Sequence, residues 1–155
     1  VSKRLIALIV GALAVGLIAG CGSSSDDSST SSLTKAEFIK QGDVICTKHH
    51  ETFENELRAF LKKSGANKGI ESADALSEFA QTKLAPVFSS EAEELRALGA
   101  PSGEEEEVNA ILDPLEEGIE ELENNSAKLG KETPAGIEKA NNSAEKFGFK
   151  VCVTN

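Results

Sequence analysis

His49, His50 and Glu54 are the residues best suited by type and spacing to hold a cation, since His50 and Glu54 lie one helical turn apart. Cys46 stands one turn before His50, but its thiol is better assigned to a disulfide. A tetrahedral site needs about four N, S or O ligands, and the chain has only two histidines. His49 therefore reads as a partly buried core residue and His50 as an exposed one, and no metal or cofactor is expected. The chain contains no G-x-S-x-G, H-E-x-x-H, Walker loop or C-x-x-C. Paired carboxylates are abundant, but their clustering on an expected outer helix face lacks the burial that raises a catalytic pKa. These features point away from an enzyme.

The acidic residues are themselves a feature. Between Glu91 and Glu123 there are 13 acidic residues and one base, Arg96. Glu104 to Glu107 gather where a helix N-terminus is expected, and negative charge is favourable there. Glu116, Glu117, Glu120, Glu121 and Glu123 fall on the outer face of the same helix. The plain reading is a solvated face that keeps the domain soluble. The sharper reading is a docking surface for a cationic protein partner or loosely held divalent ions, with Glu104, Glu105, Glu116, Glu117, Glu120 and Glu121 as contacts and an affinity that falls with salt. The net charge of −10 disfavours nucleic acid, and the absence of Trp and Tyr removes the usual stacking platforms.

Where such residues operate is set by the start of the chain. Lys3 and Arg4 precede an apolar run that ends at Cys21, the three-part build of a secretory leader. Leu5 to Gly20 is uncharged but shorter than the ~20 residues a spanning helix requires. Val1 is read as an alternative start. Leu17-Ile18-Ala19-Gly20-Cys21 resembles the lipobox of bacterial lipoproteins. The resemblance implies that residues 1–20 are removed and that the Cys21 thiol carries diacylglycerol, with fatty chains such as palmitate holding the protein on the bilayer. The alternatives are an ordinary cleaved leader with Cys21 as a free thiol, or a short uncleaved anchor. Loss of Lys3 and Arg4 takes the mature charge to −12. In an exported chain the two remaining cysteines, Cys46 and Cys152, are read as one disulfide. Residues 21–32, nearly all Gly, Ser, Thr and Asp after the cysteine, read as a disordered tether reaching about 20 Å.

Residues 33–155 supply the folded domain. Thr34 and Glu37 form a T-x-x-E capping box, with Leu33 and Phe38 placed as a hydrophobic staple. Phe38, Ile45, Cys46, His49, Phe53, Leu57, Phe60 and Leu61 then give one inward helical stripe that Ser64-Gly65 ends. After a polar loop, Leu76, Phe79, Ala80, Leu84, Val87, Phe88, Leu95 and Leu98 give a second stripe, interrupted by Pro86 and ended by Gly99 and Pro101. Ser102 and Glu105 form a second expected capping box, opening a third helix with Val108, Ile111, Leu112, Leu115, Ile119, Leu122 and Leu129 inward. Helices two and three therefore read as an antiparallel hairpin. Pro86 and Pro114 lie equally far from Ala100, so both helices are expected to bend at one level, either as tolerated kinks or as a shared notch exposing the carbonyls of Thr82 and Ala110. Thr133-Pro134 opens a fourth helix with Ile137, Ala140, Ala144 and Phe147 inward and Gly148 as its C-cap. The tail carries Cys152 back to Cys46, a closure that would remove about 4 to 5 kcal/mol of unfolded-state freedom.

The assembly also resembles small envelope lipoproteins of actinobacterial type. Ala36-Glu37-Phe38 with Asp43-Val44-Ile45-Cys46, Leu95-Arg96-Ala97-Leu98-Gly99-Ala100-Pro101 and Phe147-Gly148-Phe149-Lys150-Val151-Cys152 carry the likeness. It implies an envelope location and supports the disulfide, and it carries over no activity and no catalytic residue. The expected fold is an all-α, up-and-down four-helix bundle with one disulfide. The expected role is a non-enzymatic interaction or structural module on the extracytoplasmic face of a membrane, with a small-ligand or metal-binding protein as the alternative.

Overall fold

The computed structural model describes residues 32–63, 73–124 and 132–153. The leader, Cys21, all but the last residue of the tether, the polar loop after Ser64 and Leu129 lie outside the described residues. Every regular element among the described residues is helical: α1 (Lys35–Lys63), α2 (Ala73–Phe79), a π segment (Ala80–Leu84), α3 (Ala85–Ala97), α4 (Glu105–Asn124) and α5 (Ala135–Phe147). α2, the π segment and α3 follow one another without a break, giving four helical rods. No helix among these residues is long and apolar enough to cross a membrane.

The helix starts test the capping chemistry directly. At α1 the box is closed both ways: Thr34 donates its backbone N–H and its hydroxyl to Glu37 Oε2 at 2.9 and 2.7 Å, and the Glu37 N–H donates to Thr34 Oγ1 at 3.3 Å. Leu33 packs on the cluster that holds Phe38, as a staple should. The second expected box does not form. Glu105 turns its carboxylate to the Gly103 N–H at 2.9 Å instead of pairing with Ser102, and Glu104 is the residue whose carbonyl opens α4, accepting from Val108. Gly103 adopts φ +85°, a left-handed turn that displaces Ser102 from the capping position. At α5 the cap is Pro134, one residue later than the Thr133 expected.

Two clusters form the core. The first joins Phe38 and Cys46 of α1, Leu95 of α3, Val108, Ile111 and Leu112 of α4, and Ala144 and Phe147 of α5 with Phe149. The second joins Ala85 and Ala92 of α3, Leu115, Ile119 and Leu122 of α4, and Ile137 and Ala140 of α5. All expected inward positions of the described part of α4 and of α5 are buried. On α1 burial fades along the helix, and Ile45, Phe53, Leu57, Phe60 and Leu61 are only half-buried. Phe60 instead stacks on Phe79, with ring centroids 4.6 Å apart.

The prolines do not break their helices. Pro86 lacks the N–H that would reach Thr82, and its ring would crowd that carbonyl. The chain widens by one residue just before it, so that the Ala85 N–H reaches the Ala80 carbonyl. α4 runs continuously through Pro114, which is buried. Thr82 lies on a cleft lined from α1, α2 and the π segment. Ala110, one turn before Pro114, is an exposed residue of α4. The expected shared notch is thus resolved into two unlike places.

α4 and α5 meet backbone to backbone at Gly118 and Gly136. A Cβ on Gly136 would overlap the Gly118 nitrogen and the Pro114 carbonyl oxygen, and one on Gly118 would lie 2.6 Å from the Ile137 nitrogen. These neighbours are backbone and cannot turn away. Gly118→Ala or Gly136→Ala should therefore each lower stability by about 1 to 3 kcal/mol, the usual cost of overpacking. Urea denaturation midpoints measure it, and an unchanged midpoint for both would contradict the close approach.

Candidate functional site

The C-terminal segment is turned back by a glycine cap and held on α1 by three separate devices. Gly148, at φ +117°, ends α5 with its N–H on the Glu145 carbonyl while Phe149 N–H reaches Ala144, the paired bonds of a Schellman turn. Phe149 then enters the core beside Phe38 and Phe147, with centroids 5.9 and 5.6 Å away, and lies so close to Gly42 that any side chain there would strike its ring. Asp43 Oδ1 accepts from the backbone N–H groups of Lys150 and Val151 at 3.0 and 2.8 Å. The segment ends in the expected Cys46–Cys152 disulfide, with Cα atoms 5.1 Å apart.

Beside that disulfide stands a residue the acidic run conceals. Glu91 is 5% exposed, with Oε1 3.4 Å from Cys46 Sγ. Its Oε2 is the one buried side-chain polar atom without a hydrogen-bond partner among the described residues. A cavity of about 20 Å³, room for a single water, is bordered by Glu91, Leu95, Ile111, Leu115, Asn141 and Cys152. Burial, aided by the charge of Glu94, pushes the Glu91 carboxyl up to about 7. The arrangement can hold a proton near neutral pH within reach of sulfur.

Glu94, one turn further along α3, has the opposite setting. Lys48 reaches it at 2.5 Å and His49 Nε2 lies 3.1 Å from its Oε1. The Lys48 bond, with that of His49, holds the Glu94 carboxyl below its usual value. His49 is buried and turned to Glu94, while His50 is half-buried and Glu54 is exposed and pairs with Arg58. No group of three or more His, Cys, Asp and Glu among the described residues is placed to hold a metal ion.

The six acidic residues singled out as partner contacts also divide. Glu104 bonds Lys35 at 2.8 Å, and Lys35 lies over the Phe147 ring. Glu105 is spent on Gly103, and Glu116 receives Arg96 at 2.7 Å. Glu117, Glu120 and Glu121 are exposed on the outer face of α4. Glu91, counted within the same acidic run, is buried. The signal for it lay in spacing: Leu84, Phe88, Glu91, Leu95 and Leu98 follow steps of four, three, four and three, which puts an acid on an inward stripe. Asp43 gave no comparable signal, because its role depends on residues 107 and 108 positions away.

Raising a carboxyl from 4.5 to about 7 on folding makes stability depend on pH. The folded chain keeps a proton that the unfolded chain has already released, so this contribution is complete below about pH 4.5 and is lost as pH rises through about 7, on the order of 3 kcal/mol in all. Glu91→Gln, which cannot ionise, should lack this loss and gain stability relative to the wild type between pH 5 and pH 8. Urea denaturation of both proteins at the two pH values tests this, and parallel profiles would contradict it. In comparisons with known proteins, the chain matches no protein-family model, no curated protein and no solved structure.

Proposed function

We propose that the chain is a lipid-anchored, extracytoplasmic lipoprotein whose helical domain acts as a non-enzymatic envelope interaction or structural module. The observation that carries this reading is the Cys46–Cys152 disulfide, a bond that forms and persists in oxidising compartments and is rare in the cytosol. It agrees with the leader and with Cys21 as the acylated first residue of the mature protein. The domain is read as an up-and-down bundle. Pairing of Lys48 with Glu94 and of Glu56 with Lys83 supports opposed directions for α1 and the rod formed by the π segment and α3, and the short connection from Ala97 to Glu105 supports the same for α3 and α4. The exposed acids of α4, Glu117, Glu120 and Glu121, are the surface offered to a cationic partner or to divalent ions.

A second reading, small-ligand binding, is favoured by the cleft of about 440 Å³ beside the Phe60 and Phe79 stack. It is of ligand size, and Lys63, Glu78, Thr82 and Lys83 give it polar edges.

The anchor is tested on protein extracted from membranes of the producing cell. Intact mass should show residue 21 as the first residue, carrying diacylglycerol, and Cys21→Ser should move the domain from the membrane fraction to the soluble one. An unmodified Cys21 thiol, or a retained leader, would contradict the proposal.

A further inference from the structure

We propose that the Cys46–Cys152 pair is a site of thiol–disulfide exchange with a dithiol reductant, in which attack falls on Cys152 and Glu91 delivers the proton to the departing Cys46. The two sulfurs are not equivalent. Cys46 is fully buried, whereas Cys152 is half-buried on the C-terminal segment. An incoming thiolate can therefore reach only Cys152, and the sulfur that must leave is Cys46. Glu91 Oε1 lies 3.4 Å from that sulfur, and a disulfide sulfur has no hydrogen to offer. The contact becomes a full hydrogen bond only after reduction, when the Cys46 thiol can donate to the Glu91 carboxylate. An acid with one oxygen orphaned in the core is costly to keep, and beside an exchangeable bond it has chemistry to do.

The step balances. The reductant's thiolate forms a bond to Cys152 Sγ as the S–S bond breaks, Cys46 leaves with the electron pair, and Glu91 gives up its proton to become a carboxylate. The reductant's second thiol then displaces Cys152 from the mixed disulfide, its proton passing to the departing Cys152 thiolate, and Glu91 regains from solvent the proton that the first thiol released on ionising. The reductant leaves oxidised by two electrons and the protein holds two thiols. The charged neighbour of Glu91 is Glu94 on its own helix, itself engaged by Lys48 and His49 of α1; Ile111 and Leu115 from α4, Asn141 from α5 and Cys152 from the C-terminal segment carry no charge. It is therefore the group positioned to set the pH dependence.

Reduction of the full chain by dithiothreitol, followed by thiol alkylation and peptide mapping of Cys46 and Cys152, tests the proposal. After correction for the thiolate fraction of the reagent, the wild-type rate should fall about tenfold from pH 6 to pH 8, as Glu91 loses its proton. The Glu91→Gln rate should stay flat. Brief treatment with glutathione, a monothiol, should place the mixed disulfide on Cys152. Reduction through the unfolded chain would give the opposite sign, because ionisation of Glu91 destabilises the fold and opens it at higher pH. A flat or rising wild-type profile, an equal fall in Glu91→Gln, or an adduct on Cys46 would each overturn the proposal. The wild-type profile decides alone should the variant fail to fold.

Discussion

The return of the C-terminal segment to α1 is the constraint on which the rest of this structure depends. Phe149 fills the space that a glycine at 42 leaves open, Asp43 takes the two backbone N–H groups that follow, and Cys152 closes on Cys46 one turn further along the same helix. Each device acts at a different level. The ring contributes apolar burial, the carboxylate satisfies donors that no helix or strand would, and the covalent bond restricts the unfolded chain. The first core cluster exists because α1, α3, α4, α5 and this segment all reach it, so the first and last parts of the domain are held in one packed unit.

This closure also explains why a carboxyl is buried where it is. The packing of α1 on α3 sets Cys46, the closing cysteine, at the level of Glu91, and the apolar side chains of α4 and α5 seal the acid from solvent. An isolated buried carboxylate is strongly disfavoured, so the group takes up a proton instead. Three residues later Glu94, facing Lys48 and His49 at the edge of the packing, is held ionised by the same rules. Two acids on one helix are thus driven apart by whether they look into the core or across its rim. In the proposed exchange the inner one is useful because it is the one that keeps its proton.

Much of the helical framework was legible in the chain. The first capping box, the inward stripes of α4 and α5, the glycine cap at Gly148 and the cysteine pairing follow from local chemistry and from counting, and the structure bears each of them out. Long-range contacts were less accessible. Gly118 and Gly136 have no local reason to be glycine, and only the facing helix supplies one. Glu91 reads as one acid among many wherever charge is equated with surface, although its spacing among Leu84, Phe88, Leu95 and Leu98 places it on an inward stripe. The second capping box had the right letters, but the left-handed turn at Gly103 gave Glu105 a nearer donor. The cost of the two prolines is plain from their chemistry, while the remedy of widening the helix by one residue before Pro86 has no signature in the prolines themselves.

The most direct test of the central claim is hydrogen exchange at the backbone amides of Lys150 and Val151 in the oxidised protein. If the C-terminal segment is held on α1 by Asp43, by Phe149 and by the disulfide, both amides should be protected to nearly the level of the core helices and should open only with the domain as a whole. Exchange at the rate of an unstructured peptide, with the α4 and α5 amides still protected, would show that the segment is not part of the folded unit and would contradict the account.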